Sequence, residues 1–224
     1  MGLTTAKQGK CLKWVIDALE AIKGKSGRKY YNVYHKVLNT RNYGVPQNRP
    51  RIYIFGIKKT LDASNDFDIP ERHDEPPPLR TIMDEEVGMM PEGSLPPASQ
   101  TVARANLRKV VEEFAARGQD VSSMDVVVDI DASRDFCHYM ENISPCLIRS
   151  RPYGFWVTSW GRRFTLKELW RLQGFDPSKI VATGSPRQMG QMIGNAMSVP
   201  VLVDILDVAL RRLVHKPRCS RAEA

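Results

Sequence analysis

The chain has 224 residues, of which 42% are hydrophobic and 26% charged, and this composition excludes a disordered protein and predicts one or two folded domains. No stretch approaches the ~18 consecutive apolar residues of a membrane span, and the N-terminus lacks an apolar signal core, so we expect a soluble, intracellular protein without a membrane partner. Four cysteines without a CxxC pair disfavour a disulfide framework and a zinc site, and we expect no metal.

The charge is unevenly distributed along the chain, whose net charge is +8. Residues 1–60 contain 13 basic and 2 acidic side chains, residues 61–145 contain 7 and 18, and residues 146–224 contain 13 and 5. The two basic segments suit a phosphate-rich partner, because each Lys or Arg near a phosphate releases counterions on binding. General solubility explains the same surplus equally well.

The first sixty residues predict one helix and two strands. Apolar residues recur at helical spacing over residues 6–22, which predicts an amphipathic helix that packs on an apolar surface. Residues 30–40 alternate and are rich in Tyr and Val, whereas residues 51–57 are almost continuously apolar and predict a second, more buried strand. A turn at residues 44–46, Gly-Val-Pro, connects them, as at the edge of an α/β sheet.

Residues 60–145 have a different composition. Proline-rich loops surround one predicted helix, "TVARANLRKVVEEFAARG", and one predicted strand, "MDVVVDI". Residues 154–164 then predict a hairpin, and "TLKELWRLQGF" predicts a helix with Thr165 as its N-cap and Gly174 at its end. "SPRQMGQMIGNA" predicts a short helix, and residues 198–216 predict a strongly apolar final helix.

Three blocks, in this order along the chain, resemble the C-terminal half of the DNA (cytosine-5) methyltransferase family. They are Gln47, Arg49 and Arg51; the block from Arg163 to Phe175; and the block from Gln191 to Pro200. The resemblance implies an α/β fold, namely the C-terminal part of a Rossmann-like methyltransferase domain with an inserted target-recognition region of mixed structure. It places the last helix and strands of the catalytic core at 1–59, the target-recognition region at 60–160, and a helical return to the core at 161–224.

The resemblance also implies a reaction in which a cytosine is flipped out of DNA, a cysteine thiolate attacks C6, and C5 takes a methyl group from S-adenosylmethionine. The sequence contains no Pro-Cys-Gln nucleophile, no Glu-Asn-Val segment and no Gly-rich cofactor loop. We therefore expect no activity from this chain alone, and an N-terminal catalytic half, either a separate polypeptide or a piece missing from the gene model, that completes the cofactor site. Cys146 follows a proline but precedes Leu147, so we expect a core residue rather than the nucleophile.

By the same resemblance, Arg49 and Arg51 support catalysis: one holds the catalytic carboxylate and the other reaches the flipped cytosine or its phosphate. A guanidinium suits both tasks because it keeps its charge and its planar donors when partly desolvated. The alternative is a pair of surface arginines at the start of a strand. Gln47 either fixes the turn or contacts the nucleotide, and Arg163, with Glu168 and Arg171, organises the connection between recognition region and core and contributes to substrate binding.

The segment Gly194, Asn195 and Ala196 resembles the family's segment that closes over the cofactor, where small residues admit the backbone and the amide offers a donor and an acceptor. A helix C-cap explains the same residues. Leu169, Trp170, Leu172 and Phe175 have the helical spacing of core residues.

Two other functions remain open at this point: a non-catalytic DNA-binding or regulatory remnant, and a tRNA cytosine-5 methyltransferase, whose Cys-Phe-Thr signature the sequence lacks. The surplus of acidic residues over 61–145 departs from what a region that lies against DNA requires. The resemblance implies residence in the nucleus if the organism is eukaryotic, and otherwise in the cytoplasm.

Overall fold

The computed structural model describes residues 2–62, 64–91 and 93–214. These residues form two compact units, each assembled from separate segments of the chain. The first unit takes residues 2–38, 50–72 and 201–214, and the second takes residues 39–49 and 73–200. The domain bounds at 59 and 160 follow from the family resemblance rather than from compactness, and they stay a prediction.

The first unit contains the predicted helices and strands of the two ends of the chain, the helix expected at 6–22 being shorter, and in addition one four-residue helix at the N-terminus that was not predicted. They are α1 (Gly2–Thr5), α2 (Lys10–Glu20), β1 (Tyr31–Asn39), β2 (Pro50–Lys58) and most of α6 (Val199–Val214). Strands β1 and β2 form a two-stranded sheet, which confirms both predicted strands. The final helix is confirmed as far as residue 214; residues 215 and 216 of its predicted span, and Cys219, lie outside the described residues.

The first unit is less buried than the sequence predicts. Strand β2 buries Tyr53 and Ile57 and has one exposed residue, whereas β1 also buries two residues but has two exposed, so β2 is only slightly the more buried of the two strands. A sheet of two strands has too little surface to hide a continuous apolar run. Helix α2 buries no residue, and the side chain of Trp14 on it is 56% exposed.

The second unit holds the remaining regular elements. They are α3 (Thr101–Ala115), β3 (Val126–Val128), β4 (Tyr139–Glu141), β5 (Trp156–Val157), β6 (Arg162–Arg163), α4 (Leu166–Arg171) and α5 (Pro186–Asn195). The strands form one antiparallel sheet in the order β4-β3-β5-β6. The predicted helices, the predicted strand at residue 126 and the hairpin of β5 and β6 are thereby confirmed.

Apolar side chains cover both faces of this sheet. Alternate residues of β3 point to opposite sides, so β3 contributes to a separate apolar cluster on each face. Val126 and Val128 pack with Leu107, Val110 and Phe114 of α3 in one apolar cluster. On the other face the second cluster contains the central valine of β3 and the expected core residues Leu169 of α4 and Leu172, which follows that helix, while Trp170 is partly buried against it. Phe175 contacts Trp170 edge-on at 5.1 Å.

Helix α4 begins as the sequence predicts. The hydroxyl of Thr165 accepts from the backbone N–H of Glu168 at 3.2 Å, and the Glu168 carboxylate accepts from the backbone N–H of Thr165 at 2.7 Å. This capping box satisfies two donors that the first turn of a helix cannot pair internally. The chain leaves the helix at Gly174, which has φ +79°.

No single helix among the described residues is long and apolar enough to cross a membrane; the pair Pro186–Asn195 and Val199–Arg211 has the length and composition but is bent by 42°. The same part of the chain contains no group of three or more His, Cys, Asp or Glu side chains placed to hold a metal ion.

Candidate functional site

Gln47 lies at the centre of the second unit with no exposed surface. Its side-chain N–H donates to the carbonyl oxygen of Leu172 at 2.6 Å, and its side-chain oxygen accepts from the backbone N–H of Leu147 at 3.4 Å. A parallel bridge pairs its backbone with Ser144. Gln47 therefore anchors its own turn to two distant segments of the chain. Fixing the turn is one of the two roles expected of it.

Arg49 is 3% exposed, and its terminal nitrogens bind backbone carbonyl groups. Nη1 donates to the carbonyl of Leu147 and lies 3.4 Å from the Sγ of Cys146. Nη2 donates to the carbonyls of Gly194 at 3.1 Å and Ala196 at 2.7 Å. We call Gln47, Arg49 and the carbonyl groups that they bind the carbonyl clamp; it joins the turn to the end of α5.

Arg51 belongs to the first unit, whereas Arg49 belongs to the second. It is half-buried at the start of β2, and its Nη1 donates to the carbonyl of Pro50 at 2.9 Å. The catalytic roles expected for these two arginines stay predictions. The position of Arg49 gives it, in addition, the task of holding the second unit together.

The glycines of α5 let this helix touch the backbone of the loop at residues 148–152. A Cβ atom added at Gly190 would lie 1.7 Å from the carbonyl oxygen of Pro152. One added at Gly194 would lie 2.4 Å from the carbonyl carbon of Ile148 and 2.5 Å from the nitrogen of Arg149. At Gly194, one of the small residues expected to admit a cofactor, the absence of a side chain allows close contact between helix and loop.

Replacing Gly194 with Ala is therefore expected to lower the free energy of unfolding by about 2–3 kcal/mol, because the added methyl group meets backbone atoms that cannot rotate away. Urea-induced unfolding followed by tryptophan fluorescence would measure the loss. Gly184→Ala is the matched control, since its added Cβ would meet nothing closer than 3.4 Å, and we expect a change within about 0.5 kcal/mol. Equal stability of the two variants would contradict the close contact.

Of the three residues expected to bind the cofactor, Asn195 alone has an exposed side chain. Gly194 is buried against the loop, and the carbonyls of Gly194 and Ala196 accept from Arg49. Among the described residues, the nearby buried atoms Gln173 Oε1 and Ser198 Oγ have no hydrogen-bond partner. The amide of Asn195 is the side chain of this segment that is open to a ligand, and the cofactor role of the three residues stays a prediction.

Two neighbouring arginines on β6 make different ion pairs. Arg162 is nearly buried and binds both carboxylate oxygens of Glu168 at 2.7 and 2.9 Å, and Glu168 has no exposed surface. Arg163 binds both oxygens of Asp131 at 2.7 and 2.8 Å. Arg171 donates to the carbonyl of Ile82 at 3.1 Å. Arg162, rather than Arg163, is therefore the partner of Glu168, and the role of Arg163 in substrate binding stays a prediction.

A cleft of about 940 Å³ opens beside Arg163. Three arginines (Arg151, Arg163 and Arg187) and one acid (Asp131) line it, together with polar side chains that include Ser99, Gln100, Ser133 and Ser150 and apolar ones that include Val102, Ile130 and Tyr153. Arg151 donates through Nε to the buried carboxylate of Asp129 at 2.7 Å. Burial, reinforced by the charge of Asp129, raises the pKa of the neighbouring Cys137 thiol above its usual range. A basic cleft of this kind suits a nucleic acid.

Sequence reasoning missed Arg162, Asp129 and Arg151. Adjacent residues of a strand point to opposite faces, so the choice between two consecutive arginines depends on a register that the sequence leaves open. The pairing of Arg151 with Asp129 joins residues 22 positions apart and has no local sequence signal.

Comparison with solved structures identifies the fold class. The chain superposes on a methyltransferase from Entamoeba histolytica with a TM-score of 0.54 at 14% identity, covering 92% of this chain and 60% of that one. A putative DNA modification methyltransferase encoded in an Escherichia coli prophage gives a TM-score of 0.51 at 18% identity, with 96% and 68% covered. The α/β methyltransferase fold expected from the sequence is confirmed.

The family follows from sequence comparison, since the model of the C-5 cytosine-specific DNA methylase family matches residues 1–211. The chain belongs to this family. It is 28% identical to the Type II methyltransferase M.NgoBI of Neisseria gonorrhoeae over 200 residues, and 28% identical to M.HaeII of Haemophilus aegyptius over 225 residues. These matches cover 89% and 97% of this chain but 55% and 63% of the relatives, so the chain spans less than two thirds of their length.

Proposed function

We propose that this chain is the DNA-recognition and closing part of a DNA (cytosine-5) methyltransferase, which transfers a methyl group from S-adenosylmethionine to C5 of cytosine. The observation that carries the proposal is the family match over residues 1–211. The chain acts together with protein that supplies the thiolate nucleophile, the Glu-Asn-Val acid and most of the cofactor site, because its own sequence contains none of these motifs.

The position of Cys146 supports a nucleophile from elsewhere. Its Sγ lies 3.4 Å from Arg49 and donates to the carbonyl of Leu147 at 3.3 Å, so it is part of the packing around the carbonyl clamp. A catalytic thiolate needs an accessible sulfur aimed at C6 of a flipped base and a general acid near that base. Cys146, by contrast, contacts Arg49 and a main-chain carbonyl, and its residue is partly buried.

Exposed apolar side chains support a protein partner for the first unit. Trp14 and Ile22, on α2 and just after it, are 56% and 44% exposed. Val203, Leu206 and Leu210 on α6 are 56%, 45% and 57% exposed. Two apolar helix faces of this kind on one compact unit are typical of an interface that other protein covers. We assign them to the missing catalytic half.

The test is tritium transfer from labelled S-adenosylmethionine to unmethylated duplex DNA. We expect none from the chain alone. We expect incorporation when it is co-expressed with the N-terminal part of a related cytosine-5 methyltransferase that carries the Pro-Cys-Gln and Glu-Asn-Val motifs. Replacing the cysteine of that partner with Ala should abolish transfer, because the attack on C6 is lost.

Trp14→Ala and Leu206→Ala are expected to weaken co-purification with that partner, whereas Lys10→Ala, an exposed polar change on the same helix α2, should leave it intact. A folded, co-purifying complex that transfers no methyl group would overturn the methyltransferase proposal and favour a DNA-binding or regulatory module. Preferential labelling of tRNA over duplex DNA would favour the RNA substrate.

A further inference from the structure

We propose that Arg151 is a specificity-determining residue that recognises a guanine base, and that Asp129 is the positioning residue that orients it. The proposal rests on the proposed function, because it assumes that the second unit lies against DNA. It names one side chain, one hydrogen-bond pattern and one base.

The donors of Arg151 are divided between protein and cleft. Its Nε donates to the Oδ1 of Asp129 at 2.7 Å, and Asp129 is 5% exposed. Within residues 2–62, 64–91 and 93–214, no partner is recorded for Nη1 or Nη2 of Arg151, whose side chain is 21% exposed. The guanidinium is held by one edge and offers parallel donors to the cleft through the other. Two parallel donors match the O6 and N7 acceptors of guanine in the major groove.

Arg163, in the same cleft, lacks this freedom. Both of its terminal nitrogens bind Asp131, and they also donate to the carbonyl of Gly154 at 3.3 Å and to the side-chain oxygen of Gln100 at 3.2 Å. It can contact a base only by breaking these bonds. The two ion pairs therefore differ in the donors that they leave for a ligand. The pair with Asp131 occupies both terminal nitrogens of Arg163, whereas the pair with Asp129 leaves both terminal nitrogens of Arg151 available.

The backbone around Arg151 is fixed as well. The N–H of Arg151 donates to the carbonyl of Ile148 at 3.0 Å, and its carbonyl accepts from Gly154 at 3.1 Å. Gly190 of α5 packs directly on the next residue, Pro152. On the opposite side, the N–H of Asp129 donates to the carbonyl of His138 at 3.0 Å. A donor pair held from both sides loses little freedom on binding, which favours selectivity.

Charge favours a base over a phosphate as the acceptor. The Asp129 carboxylate offsets the positive charge of Arg151, and a nearly neutral pair gains little from the counterion release that drives phosphate binding. Hydrogen bonding by the free edge is unaffected. The neutral O6 and N7 atoms of guanine therefore suit this arginine better than a phosphate, whereas the exposed Arg149 and Arg187, for which the described residues give no acidic partner, suit phosphates.

The test measures binding of the full chain to duplex DNA by fluorescence anisotropy. The preferred duplex is first selected from a random pool, and each of its guanines is then replaced by 7-deazaguanine, which lacks the N7 acceptor but leaves the phosphates unchanged. We expect one position at which 7-deazaguanine weakens binding of the wild type about 5- to 150-fold, the range of one bidentate contact. In Arg151→Gln that difference should disappear, and in Arg151→Lys it should shrink, because an ammonium group lacks the planar two-donor edge of a guanidinium.

Two further variants separate base recognition from charge. Arg149→Gln should weaken binding to all duplexes alike and reduce the salt slope by about 0.9, while the 7-deazaguanine effect persists. Asp129→Asn should diminish the 7-deazaguanine effect and steepen the salt slope, because the positive charge of Arg151 is no longer offset. Circular dichroism checks folding, and Arg151→Lys carries the test if Arg151→Gln unfolds.

The outcomes distinguish this inference from the proposed function. Absence of duplex binding both by the wild-type chain and by its complex with the N-terminal part would overturn both, whereas binding by the complex alone would move this test to the complex. A base preference that survives Arg151→Gln, or that stays at its wild-type size in Arg151→Lys, would overturn the inference and leave the proposed function standing. An Arg151 effect confined to overall affinity and the salt slope would assign the residue to a phosphate and also overturn it.

Discussion

Glu168→Ala is expected to lower the free energy of unfolding of the second unit by about 3–5 kcal/mol, because it leaves the guanidinium of Arg162 buried without its counter-charge. The same carboxylate accepts from the backbone N–H groups of Asp84 and Thr165, each at 2.7 Å, so two further buried donors lose their acceptor. Three of the four tryptophans lie in this unit, so tryptophan fluorescence during urea unfolding reports mainly on it.

Glu86→Ala is the matched control for this variant. Its side chain is 83% exposed and pairs with Lys167, and we expect a change within about 0.5 kcal/mol. The double variant Arg162→Met with Glu168→Leu should recover much of the loss, because apolar replacement of a buried pair avoids the desolvation cost of both charges. A loss below about 1 kcal/mol for Glu168→Ala would show that the pair is not buried as described.

Arg49→Lys is the second variant with a large expected effect, again a loss of about 3–5 kcal/mol. An ammonium group is a single point, and it cannot donate at once to the carbonyls of Leu147, Gly194 and Ala196. Each buried carbonyl that loses its partner costs about 1–3 kcal/mol. Measurement is by the same urea unfolding.

The control for Arg49 is Arg187→Lys, an exposed change on α5, expected to lie within about 0.5 kcal/mol of the wild type. If Arg49→Lys were as stable as the control while methyl transfer by the complemented enzyme was lost, Arg49 would act in catalysis alone. The expected result is a loss of both.

Local sequence patterns predicted the elements of the second unit well. The capping box of α4 needs Thr165 and Glu168 three positions apart. In helix α3 the apolar residues recur at helical spacing, which predicts both the helix and its buried face. Gly174 marks the end of α4 because a residue with positive φ is needed there. Signals of this kind depend on neighbouring residues alone, and they can be recognised without knowledge of the fold.

The site was less predictable, because its contacts join distant parts of the chain. The sequence indicated that Arg49 and Gln47 matter through the family block, but it could not show that their partners are main-chain carbonyls. The sequence grouped Arg163 with Glu168, whereas in the structure the neighbouring Arg162 forms the buried ion pair with Glu168. The two choices differ by one residue in strand register. The apolar run of β2 predicted a strand more buried than β1, but the difference is small, because such a run cannot reveal how many strands lie beside it.

The carbonyl clamp has a consequence for biosynthesis. Its acceptors lie 98 to 147 positions downstream of Arg49, and the acceptor for the Gln47 amide lies 125 positions downstream. The turn completes its native contacts only after residue 196 has left the ribosome, because Ala196 is the last of these acceptors to be synthesised. Loop closure over such distances is slow, and the unit becomes native at the end of synthesis rather than during it.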